Sequence, residues 1–207
     1  MTLTDDRLAG DEPVERNSAA ARRAMIDSQL RTSGVNEPWV LTAMARLARE
    51  DFVPAEARDA AYIDRAIPLG GGRFLAAPLV HAHMLAEAVP TAEDNVLLIG
   101  DGAGYLAALL RPLAGSLDAI SPADAAQAVR GKAKYSLIVI DGAIEQLPPG
   151  IGAMLADGGR LVTGLVQRGV TRLAAGRKSA GDVALLPLAE IGMPVLPELA
   201  APKLWKF

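Results

Sequence analysis

The chain has 207 residues and a formal net charge of −3, long enough for one domain with its own core and too acidic for a broad nucleic-acid footprint. It contains no cysteine and only two histidines, which excludes disulfide frameworks, thiolate metal sites and a cysteine nucleophile. Hydrophobic residues make up 51% and charged residues 22%, the balance of a globular protein.

Residues 1–17 are polar and acidic and lack the apolar core of a signal peptide. They are expected to form a flexible tail. No apolar run reaches the roughly 18 residues of a membrane helix, so a cytoplasmic protein without a membrane partner is expected. Residues 18–89 read as a helical cap. Asn17 and Ser18 can cap a helix from Ala19 to about Thr32, closed by Gly34. Pro38 opens a second helix whose Val40, Met44 and Leu47 form a core-facing stripe. Pro54 starts a short third helix through Tyr62. Residues Ile67 to Arg73 read as a loop, and Pro78 to Ala88 as a further helix. His81 and His83 lie two apart and point to different helix faces, so no shared metal is expected of them and a surface or interface placement is. Arg22 and Arg23 read as a solvated helix end.

From residue 90 onward, short apolar runs alternate with helices. Val96 to Ile99, Ser116 to Ile120, Ser136 to Ile140 and Arg160 to Leu165 are candidate strands. Helices are expected from about Gly104 to Leu113 and from Ala123 to Arg130. Such alternation predicts a parallel sheet covered on both faces. Val170 to Ala175 and Val183 to Leu188 flank a glycine-bearing turn, which predicts an antiparallel hairpin closing the sheet.

One motif carries a mechanism. Gly100-Asp-Gly-Ala-Gly104 lies between a strand and a helix, where missing Cβ atoms let a ligand approach the backbone. Its spacing is G-x-G-x-G, not the dinucleotide fingerprint, and no P-loop lysine follows. Asp141-Gly142 sits at the carboxyl end of a central strand, where open α/β sheets bind ligands; it reads either as a ligand contact or as a strand-ending turn.

The order of segments resembles the S-adenosylmethionine-dependent methyltransferases, and within them the protein-L-isoaspartate O-methyltransferase family. The likeness rests on Met25 to Leu30, Gly34-Val35, Val40 to Met44, Arg49-Glu-Asp-Phe-Val-Pro54, Ala61-Tyr62, Asp64, Pro68-Leu69 and the helix from Pro78 through Met84-Leu85. Tyr135 to Ala143 with Pro148, and Asp157-Gly-Gly-Arg-Leu-Val162, continue it. The resemblance implies a Rossmann-like sheet over residues 90–207. It also implies S-adenosylmethionine as cofactor, isoaspartyl proteins or peptides as substrates, and protein repair by carboxyl methylation. It places the cofactor at Gly100, Asp101, Gly102, Gly104, Ser121 and Asp141.

Four departures from that family stand out. The polar run expected beside the substrate is Phe74-Leu-Ala-Ala-Pro78, so the family's serine position is Ala76. The acidic residue expected two positions before the first glycine is Leu98. The acidic residue expected after the second strand, for the ribose hydroxyls, is replaced by Ser121-Pro122. Finally, only residues 121–135 separate two strands that should enclose a helix, a strand and another helix, and a full βαβ unit takes about 30 residues. A sheet of family order 3-2-1-4-5-7-6 is therefore expected to lack its third, edge strand and the adenine-facing loop. Each lost bond to a buried ligand group costs roughly 1–3 kcal/mol, which predicts cofactor binding weakened by about 10²–10⁴-fold. Two functions follow: a weakened isoaspartyl methyltransferase, or an inactive relative serving as a binding or dimerisation module. The proline-bearing tail is expected to pack over the sheet, with Trp205 and Phe207 as its anchors or as a homodimer contact.

Overall fold

The computed structural model describes residues 12–128 and 132–201, with side chains from residue 17 onward. Helix α1 (Glu12–Met25) begins before the expected cap at Asn17 and Ser18. It runs on through a π-turn at Ile26–Leu30 and a 3₁₀ turn at Arg31–Ser33, and ends where Gly34 takes the left-handed conformation. The expected tail is thereby shortened; residues 1–11 lie outside the described residues. Helix α2 (Pro38–Arg46) starts at its proline as the sequence suggests. The segment after Pro54 forms a 3₁₀ turn, Ala55–Ala60, preceded by another at Arg49–Phe52.

The expected loop at 67–73 is instead an antiparallel hairpin, β1 (Ile67–Gly70) with β2 (Arg73–Leu75). Gly70, Gly71 and Gly72 all take positive φ at its tip, which glycine tolerates and which a run of glycines disguises as a loop. Helix α3 (Pro78–Ala88) then leads to the sheet.

The six-stranded sheet comprises β3 (Asn95–Ile99), β4 (Ser116–Ile120), β5 (Tyr135–Ile144), β6 (Leu155–Gln167), β7 (Val170–Ser179) and β8 (Asp182–Glu190), in the order β4-β3-β5-β6-β7-β8. The first three pairings are parallel and the last two antiparallel. No strand lies outside β4 among the described residues, in keeping with the missing third strand. The far end corrects the expected order. Its last two strands follow in chain order as a meander, because the two-residue connection Arg168-Gly169 folds β7 back beside β6 and leaves β8 the outer edge. The turn from β7 into β8 is also tighter than expected, since β7 runs on to Ser179.

The central strands are apolar on both sides, as a covered parallel sheet requires. Val96, Leu98, Leu137, Val139 and Val162 face a core shared with α1, α2, α3 and α4 (Tyr105–Leu110). Leu97, Ile99, Ile138, Ile140 and Leu161 face the opposite layer of α5 (Pro122–Ala126), α6 (Pro149–Met154) and Leu199. Cap residues such as Met25, Leu30 and Met44 therefore share one core with the sheet. The expected helix 123–130 ends at Ala126, and residues 129–131 lie outside the described residues.

The segment after β8 packs over the sheet as expected, and it does so at the carboxyl ends of the strands. Beyond Ile140, where β3 ends, Val195 pairs with Ala143 on the vacated side of β5. The Ala143 N–H donates to the Pro194 carbonyl at 2.7 Å, and Leu196 N–H donates to the Ala143 carbonyl at 2.9 Å. Trp205 and Phe207 lie outside the described residues. No helix among the described residues is long and apolar enough to cross a membrane.

Candidate active site

A cleft of about 550 Å³ opens at the carboxyl ends of β3, β4 and β5, within the roughly 300–1,000 Å³ of small-ligand sites. Its floor is the turn after β3 and its sides are the β1–β2 hairpin and Pro194 to Glu198. Of the residues picked out in the sequence, Gly100, Asp101, Gly104, Ser121 and Asp141 all line it.

Each glycine of the turn has a geometric reason. A Cβ on Gly100 would lie 3.0 Å from the Asp141 Cβ, and one on Gly104 would lie 3.1 Å from the Asp101 Cβ. Gly102 stands outside the lining; its Cβ would meet that of Ala119 at 2.9 Å, so its bareness serves packing against β4. Asp101 organises the turn by accepting from Ala103 N–H at 2.9 Å, and its other oxygen faces Arg73 Nη1 at 3.6 Å. That exposed pair links the hairpin to the turn across the mouth of the cleft.

Ser121 spends its hydroxyl on α5. The Oγ accepts from Asp124 N–H at 3.1 Å and donates to Asp124 Oδ2 at 2.7 Å, a side-chain N-cap. Ala76 is buried and contributes only its carbonyl, which accepts from Arg49 Nη2. Leu98 is wholly buried in the core.

A polar cluster buried behind the cleft is not evident in the sequence. His81 is fully buried, against the expected surface or interface placement. Helix α3 buries Val80, His81, Ala82, Met84, Leu85 and Ala88, so it has little solvent-facing side to offer. Its nearly unbroken apolar composition is the signal that could have shown this. His81 Nε2 lies 3.1 Å from Asp141 Oδ1, and its Nδ1 lies 3.3 Å from Arg49 Nη1. Arg49 is itself fully buried and donates to the Ala61 carbonyl at 2.7 Å. Its guanidinium sits 4.9 Å from the Tyr105 ring centroid. Burial pulls the Arg49 pKa down, opposed by Tyr105 and Asp141. Tyr105 lines the cleft, and its buried hydroxyl has no hydrogen-bond partner among the described residues; burial pushes its pKa up to about 12.

Asp141 does not end its strand. β5 continues to Ile144, paired with β6 on one side and joined at Ala143 by the segment after β8 on the side that β3 gives up. The carboxylate is thus fixed on a strand, partly exposed, between His81 and the glycine turn. Arg22 also departs from expectation. Instead of a solvated helix end, it donates to Tyr62 Oη at 2.8 Å and pairs with Glu50 at 3.3 Å.

An open, mostly parallel α/β sheet with a glycine turn and a carboxylate at its strand ends is the Rossmann-like fold of the methyltransferases. The family model of protein-L-isoaspartate(D-aspartate) O-methyltransferase (PCMT) matches residues 20–121. A protein-L-isoaspartate O-methyltransferase of Koribacter versatilis is 32% identical, covering 79% of this chain and 84% of its own length. One from Rhodopseudomonas palustris is 34% identical over 79% of this chain and 91% of its own. The chain belongs to the protein-L-isoaspartate O-methyltransferase family, whose methyl donor is S-adenosylmethionine. In structure it is similar to a beta-aspartate methyltransferase from Plasmodium falciparum solved in complex with S-adenosyl-L-homocysteine. That match has a TM-score of 0.65 and 14% identity, covering 87% of this chain and 98% of the other.

Proposed function

We propose that this chain transfers a methyl group from S-adenosylmethionine to isoaspartyl carboxylates of proteins, a repair reaction, with a loosened hold on the nucleoside half of the donor. The observation that carries this reading is the open cleft at Gly100–Gly104 with the Asp141 carboxylate beside it. The residues fit the donor unevenly. Gly100 and Gly104 leave the backbone bare, and Asp141 offers an anion at the amino-acid end. At the ribose end, Ser121 is already engaged with Asp124.

Bound S-adenosylmethionine supplies a methyl group on a sulfonium, activated without acid catalysis. The chain's own share is positioning and exclusion of water. Phe52, Phe74 and Leu75 give the cleft apolar walls, and Arg73 puts a cation at its mouth, the charge an acidic acceptor seeks. Calorimetric titration with S-adenosylmethionine, followed by methyl transfer to an isoaspartyl peptide, tests this. Binding in the sub-millimolar to millimolar range and measurable transfer are expected; no heat at millimolar ligand overturns the reading.

A second reading is an inactive relative that binds or dimerises. It is favoured by Ala76, Leu98 and Ser121, none of which presents a free polar side chain to the cleft. Binding without methyl transfer to any isoaspartyl peptide supports it.

A further inference from the structure

We infer that Arg49, His81 and Asp141 form one hydrogen-bonded relay that aims a carboxylate at an ammonium group of the ligand, with His81 as a positioning residue. The inference rests on the cleft taking S-adenosylmethionine. A guanidinium can only donate, so the His81 Nδ1 facing Arg49 Nη1 at 3.3 Å must accept. The ring proton therefore sits on Nε2 and is donated to Asp141 Oδ1 at 3.1 Å. Every member has a fixed direction, from the buried cation through a neutral imidazole to the anion.

The other Asp141 oxygen has no partner among the described residues, and the side chain keeps 19% of its exposure in a cleft-lining position. An anion so held seeks a cation. The register says where it points. Ile99 pairs with Ile140, so Asp141 stands level with Gly100, and their side-chain positions would be 3.0 Å apart. The carboxylate missing at Leu98 is thus supplied one strand over, beside the same glycine. A buried arginine and a core histidine thus converge on a cleft residue.

The test compares S-adenosylhomocysteine with its analogue lacking only the α-amino group, by calorimetry. Wild type is expected to prefer the amine-bearing ligand at least about tenfold. Asp141→Asn should erase that preference while leaving the affinity for the analogue unchanged. His81→Leu should erode it in the same selective way, and His81→Gln should restore it, since an amide can accept from Arg49 and donate to Asp141. A merely structural His81 would weaken both ligands alike. Equal wild-type affinities overturn the inference without requiring any variant to fold. So does a wild-type preference that survives in Asp141→Asn. If wild type takes up neither compound, the proposed function falls as well, which separates the two failures.

Discussion

Arg160 on β6 reaches across to Asp94, just before β3, with Nη2 and Oδ2 2.6 Å apart. The same carboxylate accepts from Thr91 N–H at 2.9 Å and from Ser136 Oγ at 2.6 Å. Donors from β5, from β6 and from the segment before β3 therefore converge on one nearly buried acid. Asp94→Ala strands these donors and the Arg160 charge, and should cost about 3 kcal/mol in urea unfolding. A loss below about 1 kcal/mol would show that the cluster is slack.

The same acid gives a pH dependence. Burial pushes the Asp94 pKa up, but Ser136, Arg160 and Thr91 outweigh it and hold the group below the ordinary carboxylate range. A depressed folded pKa means stability that is present above about pH 4 and lost as pH falls through the folded value. Acid unfolding of Asp94→Asn should therefore lack part of the wild-type slope below pH 4.

Alkali acts in the opposite sense. The chain has three tyrosines. Burial pushes Tyr62 and Tyr105 to about 12, with Glu50 adding to the rise at Tyr62, and burial with Asp118 raises Tyr135. Raised folded values mean stability intact below about pH 10 and drained as pH climbs toward 12. Absorbance at the tyrosinate band at pH 10 should be clearly lower in the native protein than in urea, because Tyr62 and Tyr105 stay protonated there. Equal native and urea absorbance at pH 10 would contradict the buried placements of Tyr62 and Tyr105.

Ser121→Ala separates helix capping from ligand contact. The lost cap of α5 should lower stability by about 1 kcal/mol. Affinity for S-adenosylhomocysteine should change less than about threefold, because the hydroxyl is committed to Asp124. A tenfold loss of affinity at unchanged stability would return Ser121 to the ligand.

Prolines and glycines made much of this fold legible. Pro38 and Pro78 mark helix starts, Gly34 marks a helix end, and the paired apolar runs at 96–99 and 136–140 could only be covered strands. What stayed hidden depended on partners distant in the chain. Nothing near Asp141 reveals that Val195 will join its strand, nor does the spacing of His81 show that α3 is enclosed. The glycine turn could be read locally because it is built locally; the relay behind it joins residues from three separate segments.

Gly142→Ala probes that late partner. A Cβ there would meet three side-chain carbons of Leu196 at 2.7 to 3.0 Å. Stability should drop by about 1–3 kcal/mol, and amide exchange of Val195, Leu196, Glu198 and Leu199 should quicken more than that of β5. Uniform quickening would mean that the segment is not a separable wall.

That wall also sets an order of assembly. The strands from β3 to β6 can pair while the chain is still growing, yet one side of the cleft arrives only once residues 194–198 have been made and docked beside Ala143. A folding intermediate would thus hold a complete parallel sheet with a gaping, incompetent site, and ligand would bind only after the final docking step. Ligand added during refolding should accelerate nothing before that step and lock it afterwards.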